Sequence, residues 1–210
     1  MAGYTKKRRT ASGRKGVTRG QHNFATVPSV SLPRSMYNRT YGHRTTIDGG
    51  PLYPVSVDEI LPGDTVNLRS TMFCRMATPV YPVMDNFYLD QFWFFVPYRL
   101  VWDNWQRFMG ERITPDDTTE FQLPTITEDV QHDSLSDYMG LPIAGAPITF
   151  HALHHRAHAL IWNEWFRDQN LQDPLPVPKD DGPDDPAQYV IPKRCKRHDY
   201  MTACLPFAQK

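Results

Sequence analysis

Cysteine is scarce in this chain. Only Cys74, Cys195 and Cys204 occur in 210 residues, and an odd number at no framework spacing argues against a disulfide-stapled secreted domain. A reducing cytoplasm is the expected setting. Long apolar runs are also missing: none approaches the roughly 20 residues that cross a bilayer. The opening Met1, Ala2, Gly3 and Tyr4 lead straight into charge, with no signal-type stretch, so a soluble, unexported protein with no membrane partner is expected. No phosphate loop, dinucleotide glycine pattern, nucleophile elbow or paired-histidine protease helix is found. The reading is therefore not an enzyme, and no cofactor is expected.

Two further absences concern charge. Residues 1–47 hold ten Lys or Arg and no acid, and residues 113–155 hold seven acids and no Lys or Arg. The formal net charge is zero, yet the 163 residues after position 47 carry 13 basic against 23 acidic side chains, a formal −10. The chain reads as a basic arm on an acidic body. In the arm, Lys6, Lys7, Arg8, Arg9, Arg14, Lys15 and Arg19 are spaced by Gly, Ser and Thr. That composition buries too little apolar surface to fold alone and is free to follow a polyanion. These seven are the candidate nucleic-acid-binding residues, since phosphate neutralisation releases counterions whatever the base sequence. A solubilising or targeting tail is the alternative.

What is present after Asp48 is the pattern of a β-protein. Tyr53, Val55 and Val57 alternate with Pro54, Ser56 and Asp58, as in a half-buried strand. The run Leu61, Pro62, Gly63, Asp64 predicts a turn with positive φ at the glycine. Val66, Leu68, Met72, Cys74 and Met76 then share one face of a second expected strand. Residues 87–96 are apolar on both faces except Asp90 and Gln91, so the segment needs covering on both sides. The 19 prolines, with Pro79, Pro82 and Pro97 between apolar runs, suit a sheet protein with long connections. Two helices interrupt the pattern: a short one bearing Trp102, Trp105, Phe108 and Met109, and a longer one over about 148–170 with the stripe Leu153, Ala157, Leu160, Ile161 and Trp165. The acidic stretch between them reads as an excursion over the surface.

Several blocks carry a family resemblance. These are 57–65 (VDEILPGDT), 75–86 (RMATPVYPVMDN), 94–105 (FFVPYRLVWDNW), 160–171 (LIWNEWFRDQNL), 196–200 (KRHDY) and 203–206 (ACLP). In this order they resemble the N-terminal part of gokushovirus (Microviridae) major capsid proteins, from about residue 34 onward. The resemblance implies a viral jelly roll, an eight-stranded antiparallel sandwich with long loop insertions and a few helices. Only its N-terminal part is expected here, because the family's chains are more than twice as long. The expected divisions are a basic extended arm (1–47), first jelly-roll strands (48–100), a short helix and surface insertion (101–147), an amphipathic helix (148–172), and a loop leading into the next jelly-roll segment (173–210). The implied function is a structural protein that self-assembles into a T=1 icosahedral capsid around a single-stranded DNA genome. The implied place is the virion, assembled in the bacterial host cytoplasm. Implied partners are further copies of the chain, the DNA, and internal scaffolding and DNA pilot proteins.

Other candidate sites compete with plainer readings. His151, His154, His155 and His158 fall at i, i+3, i+4 and i+7 of the expected helix, so three can share a face that binds zinc or nickel. No acid or cysteine completes the set, and packing or a pH-sensitive subunit contact is the favoured reading. Cys195, His198 and Cys204 match no zinc-knuckle spacing. The run Asp180, Asp181, Gly182, Pro183, Asp184, Asp185 lacks calcium-loop spacing and reads as a solvated loop. Five Trp, ten Tyr and eleven Phe fill a core or offer stacking platforms for single-stranded DNA. Trp102, Trp105, Trp162 and Trp165 are assigned to core or subunit interface. Beside the capsid reading stand a stand-alone nucleic-acid-binding β-domain and a cupin-type enzyme or lectin, which would lean on the histidines alone.

Overall fold

The computed structural model describes residues 33–117 and 120–194, and the chain divides after Gly42 into two units. In the first unit, residues 33–42 are exposed and without regular structure. All elements below belong to the second. They are short: a 3-10 turn (Tyr98–Leu100), α1 (Trp105–Phe108), β1 (Thr125–Glu128), α2 (Leu135–Tyr138), β2 (Ile148–His151), α3 (Leu153–Ile161), a π turn (Trp162–Phe166) and a 3-10 turn (Pro186–Gln188). The described residues are mostly non-helical with one small antiparallel sheet, an arrangement compatible with a mainly-β protein.

β1 and β2 pair Thr125 with His151, Ile126 with Phe150, Thr127 with Thr149 and Glu128 with Ile148. Both strands are rich in Thr and Ile, whose branched side chains suit a pleated surface. The facing threonine hydroxyls share a 2.8 Å hydrogen bond. Ile126 is buried, and so are Val130, Leu135 and Ser136 just beyond it. The stretch expected to run over the surface thus supplies a large part of the interior. Two of its acids lie in turns where a backbone N–H meets the carboxylate, Asp117 at the Ile113 amide and Asp137 at the Asp133 amide. At α2, for example, the Asp137 amide donates to the Ser134 hydroxyl (3.2 Å), and the Asp137 carboxylate accepts from the Asp133 amide (3.1 Å).

Residues 148–151, expected to open the long helix, are strand instead. The helix begins at Leu153 because Ile148, Thr149 and Phe150 satisfy their alternation against β1. α3 then packs its stripe inward: Leu153 forms a core with Val101 and Trp102, flanked by Val96, Tyr98, Trp105, Phe121, Ala157 and Leu160. At its end the Arg167 amide donates to the Trp162 carbonyl (2.8 Å), the five-residue spacing of a π turn. That turn keeps both Trp162 and Phe166 buried.

Arg156 lies within the apolar stripe of α3 and is fully buried. Its five N–H donors all find acceptors: Nε on Asp184 Oδ2 (2.7 Å), Nη2 on Asp184 Oδ1 (2.5 Å) and Asp180 Oδ1 (3.3 Å), and Nη1 on the Val101 (3.1 Å) and Asp180 (2.9 Å) carbonyls. Asp184 also accepts from the Tyr189 hydroxyl (2.5 Å), and its amide donates to the Thr125 carbonyl (2.8 Å). Asp181 accepts from the Trp102 indole (2.6 Å) and the Asn104 amide (2.9 Å), while Asp185 caps the 3-10 turn through the Ala187 amide (3.0 Å). The acidic run read as a solvated loop is instead the hub that ties α3, β1 and residues 101–104 together. Gly182 permits the close approach: its φ is +71°, and a Cβ there would sit 3.2 Å from Pro124 Cα.

The predicted turn at residues 61–64 is present, with Gly63 at φ +84° and the Asp64 amide donating to the Leu61 carbonyl (3.1 Å). The strands expected on either side of it are not. Among the described residues, 52–97 contain no strand. A side-chain bond from Ser70 to Gln91 (2.9 Å) links residues 66–76 and 87–96, and most of their apolar side chains are exposed. A strand needs ladder partners and an apolar face needs a covering layer, and the two-stranded sheet supplies neither to this region.

Removing one member of the buried pair, by R156M or D184N, should cost about 3–5 kcal/mol by leaving an uncompensated buried group. The double variant R156M/D184L should regain much of that loss. Denaturant titration of the four proteins checks it: a double variant as unstable as the worse single variant contradicts the ion-pair account.

Candidate functional site

Two features stand out in the second unit: a band of uncovered apolar side chains and the divided histidine set. The band runs through residues 66–95. Phe73, Val80 and Met84 are 93%, 92% and 94% exposed, and Tyr81, Phe87, Tyr88 and Phe95 are largely so. Uncovered apolar surface on this scale marks an interaction site or a face awaiting another layer. The band is anchored at one end. Phe92 and Phe94 meet Phe166 edge-on at 5.4 and 5.9 Å, and Phe94 meets Trp165 at 5.9 Å. Arg194 lies over the Phe92 and Phe166 rings and pairs with Asp90 at 2.6 Å.

The four tryptophans left undivided between core and interface now separate by burial. Trp102 is fully buried, Trp162 is buried with its indole donating to the Lys193 carbonyl (3.1 Å), and Trp105 is partly buried against the core. Trp165 is 65% exposed beside the apolar band. The seven cations of the basic arm, Lys6, Lys7, Arg8, Arg9, Arg14, Lys15 and Arg19, lie outside the described residues, as do Cys195, His198 and Cys204.

The histidines divide into two pairs. His155 and His158 are buried: the His155 Nε2 shares a 2.9 Å hydrogen bond with the Ser136 hydroxyl, and the His158 Nε2 faces the Leu52 carbonyl at 3.4 Å. Burial, aided by the three neighbouring histidines and opposed by Asp184, pushes His155 down to about 3. Burial likewise pushes His158 down to about 4, against the pull of the Leu52 carbonyl. Both are neutral packing groups at pH 7. His151 and His154 stand apart at the β2–α3 junction, rings 4.4 Å apart, each with Nε2 close to Glu59 Oε1 (3.4 and 3.5 Å). An acid therefore does complete part of the set, contrary to the sequence reading. It comes from a segment 92 positions earlier, beyond the reach of helical spacing.

Reasoning from sequence missed Arg156 and the acids that hold it. The available signal was its isolation: Arg156 is the only Lys or Arg between positions 113 and 166, set three residues after Leu153 and four before Leu160. A lone cation in an apolar stripe needs buried acceptors. Around it, burial raises the Asp184 carboxyl, but the hydrogen bonds from Arg156 and Tyr189 outweigh burial and hold it below the usual carboxylate range. Glu164 and Asp185 remain exposed, and no arrangement of nucleophile, base and orienting acid is found among the described residues.

Comparison with known proteins gives a consistent picture. Residues 25–210 match the family described as "Capsid protein (F protein)". The chain is 48% identical to capsid protein VP1 of Bdellovibrio phage phiMH2K, covering 93% of this chain and 37% of that protein. It is 40% identical to capsid protein VP1 of Chlamydia phage 1, over 95% of this chain and 38% of that one. With capsid protein VP1 of Spiroplasma virus 4 the identity is 28% over 90% of this chain. The chain thus spans under two-fifths of the length of the relatives it matches.

The His158 shift fixes a pH response. Its folded pKa is below its unfolded value of 6.5, so below pH 6.5 the unfolded chain binds a proton that the folded chain refuses. Stability should fall from pH 6.5 towards 4 by on the order of 2–3 kcal/mol from this residue. The thermal midpoint, followed between pH 7 and 4, should drop less steeply in H158Q. An unchanged slope in that variant would refute the assignment.

Proposed function

Since the chain belongs to the capsid protein (F protein) family and its matched relatives are gokushovirus VP1 proteins, we propose that it is the N-terminal portion of a major capsid protein. Its work is cohesion between identical copies in the icosahedral shell of a single-stranded-DNA phage. The role is structural, and the place is the virion. The family match carries the assignment, and the uncovered apolar band at 66–95 supports the mechanism, because obligate interfaces resemble a hydrophobic core cut in two. Trp165, exposed beside Phe94, belongs to the same surface.

Within this reading the band receives the other strands of an eight-stranded jelly roll and neighbouring copies, arranged with T=1 closure. The segments 66–76 and 87–96, which contain no strand among the described residues, take their ladder partners there. The basic arm, with Lys6, Lys7, Arg8, Arg9, Arg14, Lys15 and Arg19, reaches the packaged DNA and relieves repulsion between its phosphates. Internal scaffolding and DNA pilot proteins are the further partners. A stand-alone nucleic-acid-binding domain has the arm in its favour but leaves the apolar band without a purpose.

Two outcomes test the division of labour. The full-length protein should sediment and image as closed shells, and a product that stays a single subunit at every salt concentration and pH contradicts cohesion. Deleting residues 2–20 should reduce packaged DNA more than shell yield, measured as the ratio of absorbance at 260 to 280 nm in purified particles. Equal loss of both would show that the arm serves assembly instead.

A further inference from the structure

We propose that Glu59, His151 and His154 form a binding site for a divalent transition cation of the zinc class, which fastens the Glu59 segment to the β2–α3 junction. One donor atom from each residue lies within 4.8 Å of the others, and both imidazole Nε2 atoms sit 3.4–3.5 Å from the same carboxylate oxygen. A tetrahedral ion with bonds of about 2.0–2.1 Å holds its ligand atoms roughly 3.3 Å apart. Both imidazole–carboxylate distances match that spacing.

The backbone presents the two rings rigidly. His151 ends β2 and His154 is the second residue of α3. Between them the buried Ala152 donates its amide to the Pro124 carbonyl (2.8 Å) and accepts the Arg156 amide (3.0 Å) on its carbonyl. The turn through Ala152 brings both rings to Glu59, their Nε2 atoms 3.4 and 3.5 Å from its Oε1. In His151 the Nδ1 atom is buried without a hydrogen-bond partner, so Nε2, facing Glu59, is the ring's working atom. The Tyr98 hydroxyl donates to Glu59 Oε1 at 2.8 Å and its ring lies 6.5 Å from His154, an outer-shell contact that orients the carboxylate.

The donor set also selects the ion. Two imidazoles and one carboxylate suit zinc, nickel or cobalt, whereas calcium and magnesium require six or more oxygens. His155 and His158 take no part, being turned inward onto Ser136 and the Leu52 carbonyl. Three ligands leave a fourth position for water. The consequence is mechanical: Glu59 sits among exposed Val57, Ile60 and Leu61, and an ion would pin this stretch to a junction 92 residues away in the chain. The inference is independent of the capsid reading.

The test is zinc titration of the chelator-stripped full-length protein by calorimetry, in a C74S/C195S/C204S background that removes the exposed Cys74 thiol and the two cysteines outside the described residues. Cobalt(II) serves as the spectroscopic probe. The expected result is one equivalent bound per chain, with the intense visible bands of tetrahedral cobalt, no thiolate charge-transfer band, and displacement by zinc. E59Q retains an acceptor for Tyr98, and it and H154A should each weaken binding roughly tenfold or more. H132A should bind as the parent does. Zinc should raise the thermal midpoint of the parent and not that of E59Q. No uptake by the parent, equal uptake by E59Q and H154A, or the pale spectrum of octahedral cobalt would overturn the site and leave Glu59 as a partner of protonated histidines only.

Discussion

A single guanidinium in a place without water organises this structure. Arg156 lies within the apolar stripe of α3, and a charge there is tolerated only when every donor is answered. The answering groups come from two separate parts of the chain: Val101, and the loop that holds Asp180 and Asp184. Their convergence fixes where the 180–185 loop lies, and through the Asp184 amide it reaches β1. Apolar burial alone is non-directional. The directional bonds of Arg156 supply the register that the short elements lack, since among the described residues no strand exceeds four residues and no α-helix exceeds nine.

The interior built on that pair is one-sided. α3, the two-stranded sheet, Trp102 and α2 bury one another, while residues 66–95 keep aromatic and aliphatic groups in water. A free-standing protein rarely keeps such a band, because its solvent cost is recovered on contact with another apolar surface. In the capsid role proposed above, further strands and further copies recover that cost, and the subunit's stability is shared with an assembly. Arg194, packed over Phe92 and Phe166 and bonded to Asp90, joins the one-sided core to the band.

The histidines show how the same residue type divides by depth. His155 and His158, on the inner face of α3, are neutral and hydrogen-bonded. His151 and His154 sit at its edge, within reach of Glu59. Helical spacing places all four on one side in projection, and only the strand ending at His151 pulls the first out of the helix. Within α3, burial separates His155 and His158, which pack, from His154, which faces Glu59.

Much was legible in the residues themselves. The charge division between arm and body, the turn at Pro62 and Gly63, the inward stripe of Leu153, Ala157 and Leu160, and the capsid family blocks all depend on local chemistry or on order along the chain. Four matters were decided by tertiary structure. The acidic run became a hub because a buried arginine arrived beside it. Residues 148–151 became strand because Thr125–Glu128 offered a partner. The cation-poor excursion became core because β1 paired with β2 and α2 met α3 through the Ser136–His155 hydrogen bond. Glu59 came to the histidines across 92 positions that no periodicity spans. Propensity and pattern speak for neighbours within a few residues. Burial, pairing and ligand sets arise where distant segments meet, and the chain's own order leaves those meetings unstated.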